Sequence, residues 1–297
     1  MSKLLKGVLT ALATPFDQDG AIDVDTLRRI VDRSIDAGVD GVVAAGSTGE
    51  VGALSSEERL LLIDTVIKQA KGRVPVIAQT GATSTAEAIR LSQAAEKAGA
   101  DVLMLITPYY EPLSLAETVT YIKDVARSVK LPVMLYNIPA VTGVNLDPAT
   151  VRALAEEVEN IRYIKDSSAN WEQALQLIHH HGDVIGTFIG WDVYLYSALA
   201  EGAAGVMAGT ANVVPDEIVA VSRLIADGDL TGARDLWNQL YPVIDALLSV
   251  PFIPAVKAGL SLQGLPAGSP RRPTADLSAG DLTRVQDALS ALYQNVG

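Results

Sequence analysis

Cysteine is absent from the 297-residue chain, which excludes disulfides, thiolate nucleophiles and thiolate metal sites. Histidine is nearly absent: the only three copies, His179, His180 and His181, are contiguous. They stand at an expected helix end before Gly182, where cations complement the helix dipole, and contiguous helical residues point in different directions. A solvated helix terminus accounts for them better than a metal site does. No Asp-x-Asp-type cluster supplies an all-oxygen cage at the strand ends, so no metal is expected, and no organic cofactor is expected either. Basic clusters are missing as well. Nothing longer than Arg271-Arg272 offsets a net charge of −12, from 23 basic and 35 acidic side chains, and such a charge repels nucleic acid. No charge-free apolar run reaches the roughly 18 residues of a membrane span. The N-terminal stretch 1–8 carries two lysines but no leader-like apolar run. The expectation is a cytoplasmic enzyme acting on small molecules, with no nucleic-acid or membrane partner.

What the chain does have is alternation. Short apolar runs at 7–13, 41–45, 74–78, 102–106, 131–136, 161–164, 184–189 and 205–208 read as buried strands, being rich in Val, Ile and Leu and bounded by Gly, Pro or Asp. Between them lie helical patterns with start signals, such as Ser55-Ser56-Glu57-Glu58, Thr83 to Glu87 and Asp147-Pro148, and with Ala-Gly or Glu-Gly stops. Eight consecutive units of roughly 25 residues, one strand and one helix each, predict a closed (β/α)8 barrel of the α/β class over residues 1–226. The strands then stop. The patterns at 215–226, 230–248, 254–262 and 280–294 look helical; the first closes the eighth unit, and residues 227–297 form a C-terminal helical appendage with a loop at 265–273.

Catalytic residues of such barrels gather at the C-terminal strand ends. Of nine lysines, Lys3 and Lys6 are terminal, five others fall on helix faces or ends, and Lys257 lies in the appendage. Only Lys165 stands on a barrel strand, near its C-terminal end. An amine partly stripped of water inside a barrel is a nucleophile; the alternative is a structural ion pair with Asp166. Tyr136 ends the preceding strand, where its phenol can relay protons beside Lys165 or simply pack. After strand two, Gly46-Ser47-Thr48-Gly49-Glu50 offers backbone N–H groups and two hydroxyls as an anion nest, suited to a carboxylate; alternatively it is only a turn. Thr107-Pro108-Tyr109-Tyr110 adds phenols at the end of strand four, and Gly190-Trp191-Asp192 and Gly209-Thr210-Ala211-Asn212 end strands seven and eight, to line the distal pocket or to pack.

Together Gly46 to Glu50, Thr107 to Tyr110, Tyr136-Asn137-Ile138-Pro139 with Thr142-Gly143, and Ile164-Lys165-Asp166 resemble the class I aldolase family of N-acetylneuraminate lyase and dihydrodipicolinate synthase, in order and spacing over nearly the whole chain. The resemblance implies a barrel enzyme, commonly a homotetramer, that forms a Schiff base between lysine and a 2-oxo acid, usually pyruvate. It gives Lys165 as the Schiff-base lysine, Tyr136 as the proton shuttle, and Ser47 and Thr48 as holders of the pyruvoyl carboxylate. Tyr110 matches the tyrosine that crosses a subunit interface in the synthase, and Gly190, Asp192 and Thr210 fall among the substrate-binding positions. Two departures bear on the substrate. The synthase has an arginine for its second substrate's carboxylate where this chain has Ala140-Val141, and sialic acid lyase has Gly-Tyr-Asp-Glu where this chain has Gly190-Trp191-Asp192-Val193. The expected activity is therefore cleavage of a 4-hydroxy-2-oxo acid, such as a 2-keto-3-deoxy sugar acid, into pyruvate and an aldehyde. The alternatives are a dehydratase using the same Schiff base, dihydrodipicolinate synthase itself, and a non-catalytic 2-oxo acid binder.

Overall fold

The structure, a computed structural model, describes residues 5–111 and 113–294; Lys3 lies outside them. In chain order the elements are β1 Gly7–Ala11, α1 Val24–Asp36, β2 Gly41–Ala44, α2 Ser56–Ala70, β3 Val76–Gln79, α3 Thr85–Ala98, β4 Val102–Ile106 and α4 Leu115–Arg127. Then follow β5 Val133–Asn137, the single turn α5 Pro139–Thr142, α6 Pro148–Glu157, β6 Ile161–Asp166, α7 Trp171–His181, β7 Gly186–Ile189, α8 Leu195–Ala200 and β8 Gly205–Ala208. Helices α9 Pro215–Ala226, α10 Leu230–Leu248, α11 Phe252–Leu262 and α12 Ala279–Gln294 complete the chain. The eight strands close into one parallel barrel in sequence order. This is the expected (β/α)8 architecture with C-terminal helices.

Local chemistry explains the boundaries. Ser55 and Ser114 build reciprocal capping boxes with Glu58 and Glu117, and Asp147 caps α6 with Pro148 at its first position. Strands β3 and β5 start two residues later than their apolar runs because Pro75 and Pro132 have no N–H to give to a ladder. Past Ala11 the ladder of β1 gives way to a side chain: the Ala13 N–H donates to Asn212 Oδ1 at 3.0 Å, and Asn212 Nδ2 donates to Ala11 O at 2.7 Å. Strand β6 runs on to Asp166, two residues beyond the apolar run, because Lys165 and Asp166 stay paired with β5 on one side and β7 on the other.

The chain divides into two compact units, one comprising Pro75–Met207 with the segment up to Gly7, the other Val8–Val74 with the chain from Ala208. In the first, β4, β5, β6 and β7 are paired in parallel, with one register shift between β5 and β6 at Val133/Met134, and their residues are buried almost throughout. In the second, α10 buries Leu240, Val243, Ile244 and Leu247, with α9 and α12 packed against it. Among the described residues no helix is long and apolar enough to cross a membrane, and no group of three His, Asp or Glu is arranged to hold a metal ion.

Candidate active site

Side chains alternate across a strand, and parallel neighbours in register share a face. Tyr136 on β5 stands opposite Lys165 on β6, and Asn137 opposite Asp166. Asp166 meets Gln173 of α7 and so faces the helix layer; Lys165 therefore faces the barrel interior, as does Tyr163, which packs edge-on against Phe188 of β7. Lys165 is 6% exposed, and its Nζ lies 4.1 Å from the centre of the Tyr136 ring. Among the described residues no carboxylate lies within ion-pair distance of it. An aromatic face, not a counter-ion, accompanies this amine.

The expected alternative, an ion pair between Lys165 and Asp166, does not form. The Asp166 carboxylate accepts instead from Asn137 Nδ2 at 2.8 Å, Ser168 Oγ at 2.8 Å and Gln173 Nε2 at 3.2 Å. Burial pushes its pKa above the usual carboxylate value, against the pull of these donors. Asn137 also donates to Asn145 Oδ1 at 2.9 Å and accepts from the Leu146 N–H at 3.0 Å. This polar web behind β5 and β6 fixes the register that pairs Tyr136 with Lys165.

Gly186 and Phe188 of β7, and Gly190 just after it, alternate toward the interior. A β-carbon at Gly190 would overlap Lys165 Cε and Ser167 Oγ, so glycine here leaves the path of the lysine stem open. Asp192 and Thr210 are buried in the short turns after β7 and β8, at Asp192–Tyr194 and Thr210–Asn212. At the rim Tyr110 is 81% exposed, Val141 is 57% exposed, and Trp191 is also exposed. The three histidines end α7 and are not buried, as a solvated terminus requires.

In the second unit the loop after β2 is built from two left-handed non-glycine residues, Ala45 (φ 57°) and Glu50 (φ 58°), which flank Gly46-Ser47-Thr48-Gly49. Such backbone costs on the order of 1–2 kcal/mol per residue and persists only when its surroundings hold it. The Thr14 hydroxyl donates to Gly49 O at 2.7 Å, and the Glu50 N–H donates to Ser47 O at 3.0 Å. The Glu50 carboxylate meets Lys257 Nζ of α11 at 2.7 Å and accepts the Arg271 N–H at 2.9 Å. Lys257 also donates to Ser269 O at 3.0 Å, and the Phe16 ring lies 4.2 Å from its Nζ and 4.3 Å from the Arg271 guanidinium. Arg271 in turn grips Glu58, which holds the Glu58 carboxyl below its ordinary pKa. Burial lowers the Lys257 pKa, with Glu50 opposing. A β-carbon at Gly209 would touch the Phe252 ring of α11 at 2.6 Å and Thr48 Oγ1 at 2.9 Å.

The structure thus brings Tyr136, Lys165 and Gly190 together in one unit, and Thr48 together with Gly209 in the other. Tyr110 is exposed and stands apart from both groups. Sequence reasoning missed Lys257, which it placed in the appendage without a role. Its signal was there: it is the lone charge in a helix, Phe252–Leu262, whose other residues apart from Ser261 are apolar.

Known proteins resemble the chain over almost its full length. The sequence matches the model of the dihydrodipicolinate synthetase family over residues 4–292. It is 40% identical to a 4-hydroxy-tetrahydrodipicolinate synthase of Pelobacter propionicus over 99% of both chains. It is 39% identical to one of Neisseria gonorrhoeae, over 98% of this chain and 100% of the relative. Among solved structures it resembles the pyruvate complex of YagE, a prophage protein of this family from E. coli K12, with TM-score 0.93 and 33% identity over 98% of this chain and 99% of that one. The pyruvate complex of an Acinetobacter baumannii dihydrodipicolinate synthase gives TM-score 0.94 and 33% identity, with the same coverage. With this coverage and identity, the chain belongs to the dihydrodipicolinate synthetase family of class I aldolase-type lyases.

Proposed function

We propose that the protein is a pyruvate-dependent aldolase that cleaves a 4-hydroxy-2-oxo acid, such as a 2-keto-3-deoxy sugar acid, through a Schiff base on Lys165. The observation that carries this reading is the buried Lys165 amine lying against Tyr136 with no carboxylate in ion-pair distance among the described residues, which leaves it available for a ketone. The Lys165 amine adds to the C2 carbonyl, Tyr136 passes protons, and water leaves as the iminium forms. The C3–C4 bond then breaks, its electron pair enters the iminium to give an enamine, and the 4-hydroxyl proton leaves as the aldehyde departs. Protonation at C3 and hydrolysis return pyruvate and the free amine. In this reading Ser47 and Thr48 hold the substrate carboxylate, which orients C2 for attack. Gly190 leaves room for the lysine stem, and Asp192 and Thr210 line the distal pocket. Tyr110, exposed in the single chain, completes the site of a neighbouring subunit in a homotetramer. Two similar structures are pyruvate complexes, which supports the 2-oxo acid.

The acceptor side favours an aldehyde without a carboxylate. Ala140 and Val141 follow β5 with no cation, and an apolar side chain cannot compensate a desolvated carboxylate. The second reading, 4-hydroxy-tetrahydrodipicolinate synthesis, is favoured by the names of the sequence relatives. A panel assay separates the two. Pyruvate release from one or more 2-keto-3-deoxy sugar acids, with no 4-hydroxy-tetrahydrodipicolinate formed from the synthase substrates, is the expected result. The reverse pattern establishes the synthase, and an intact carbon skeleton in the product indicates a dehydratase.

A further inference from the structure

The loop that carries Ser47 and Thr48 is not held by its own sequence alone. Glu50 closes it in a left-handed conformation that a glutamate adopts only under constraint, and the constraint comes from about two hundred residues further along the chain. Lys257 reaches Glu50 from the middle of α11, and the Arg271 backbone reaches it from the following loop. Both partners of the ion pair are almost wholly buried, Lys257 being 2% exposed. The Phe16 ring fills the space beside both cations, and Phe252, five residues before Lys257 on α11, approaches Gly209 at the point where Thr48 Oγ1 also arrives. The helix therefore holds the loop at Glu50, while its Phe252 and the loop's Thr48 both lie beside Gly209.

We infer that Lys257, through Glu50, is a positioning residue that holds the Ser47–Thr48 loop in its carboxylate-binding form, making α11 part of the binding apparatus for the 2-oxo acid. The inference rests on the Schiff-base reading above, because it assigns Lys257 to ground-state binding of the same substrate and not to the bond-making step. A buried amine satisfied by a carboxylate and a carbonyl has no free pair for chemistry; its effect passes through the backbone of residues 46–50. Loss of Lys257 should therefore weaken pyruvate binding much more than turnover of bound substrate.

The test measures the pyruvate concentration that gives half-maximal borohydride trapping at Lys165 in the full-length protein, at a temperature well below the melting point of each variant. Lys257→Met should raise that concentration, and the KM, by tenfold or more, while kcat at saturation changes less than threefold. Lys68→Met, which removes an exposed charge paired with Asp64 on α2, should shift neither. Where Lys257→Met does not fold, the double variant Glu50→Gln with Lys257→Met removes both buried charges together and should show the same shift in half-saturation. If the wild type traps pyruvate and both folded variants keep its half-saturation, the inference fails and the Schiff-base reading stands. If the wild type traps no pyruvate at Lys165, that reading fails and the inference with it.

Discussion

Two lysines among the described residues lie buried, each against an aromatic ring: Lys165 at 4.1 Å from the centre of Tyr136, and Lys257 at 4.2 Å from that of Phe16. Their second partners differ. Lys257 meets a carboxylate at 2.7 Å and a carbonyl at 3.0 Å, while no carboxylate among the described residues approaches Lys165. In the proposed reading, the positioning lysine differs from the reactive one in whether a carboxylate meets it. Depth of burial does not separate them.

Removing either amine should break the comparison in opposite ways. Lys165→Met is expected to lower kcat/KM for the cleaved substrate by at least about 10^4-fold, as removal of a nucleophile does, with little loss of melting temperature. Lys257→Met should instead cost about 3–5 kcal/mol of unfolding free energy, the usual penalty for stranding one partner of a buried pair, measured by urea denaturation. If Lys257→Met were neutral in stability, the pair would not be holding the loop.

Tyr136→Phe sharpens the contrast within the first site. It keeps the ring beside Lys165 but removes the hydroxyl, so kcat should fall by about 10^2–10^3-fold while the protein remains equally stable. An unchanged kcat would reduce Tyr136 to packing. The smallest effect belongs to the rim of the second cluster. Glu58 has a folded-state pKa below its unfolded value through its contact with Arg271, so its stabilisation is present above the unfolded pKa and is lost as pH falls through the folded one. The stability gap between wild type and Glu58→Gln should be about 1 kcal/mol at pH 7 and should close below about pH 4. A gap that widened on acidification would contradict the assignment.

The strands and the Lys165–Tyr136 pair were legible because they obey short-range rules. Apolar runs announce buried parallel strands, and a lone lysine at the end of one stands out. The period of two along a strand also argues against a bond between Lys165 and its neighbour Asp166, since adjacent residues face opposite sides; the Asn137, Ser168 and Gln173 contacts of Asp166 show this directly. The partnership of Glu50 and Lys257 is another matter. The residues are 207 positions apart, on a loop and on a C-terminal helix, and no local pattern pairs them. Nor does the sequence show that Glu50 takes a left-handed backbone, a conformation in which glycine or asparagine is the usual occupant. Val141 and Tyr110 were recognisable as rim positions, but their exposure emerges only from the folded chain.

The contrast between the two amines can be read in one experiment: incubation of the protein with pyruvate, reduction with borohydride, and peptide mapping of both lysines. The account predicts a pyruvate-derived mass on the peptide containing Lys165 and none on that containing Lys257. Label on Lys257, or on neither, would contradict it.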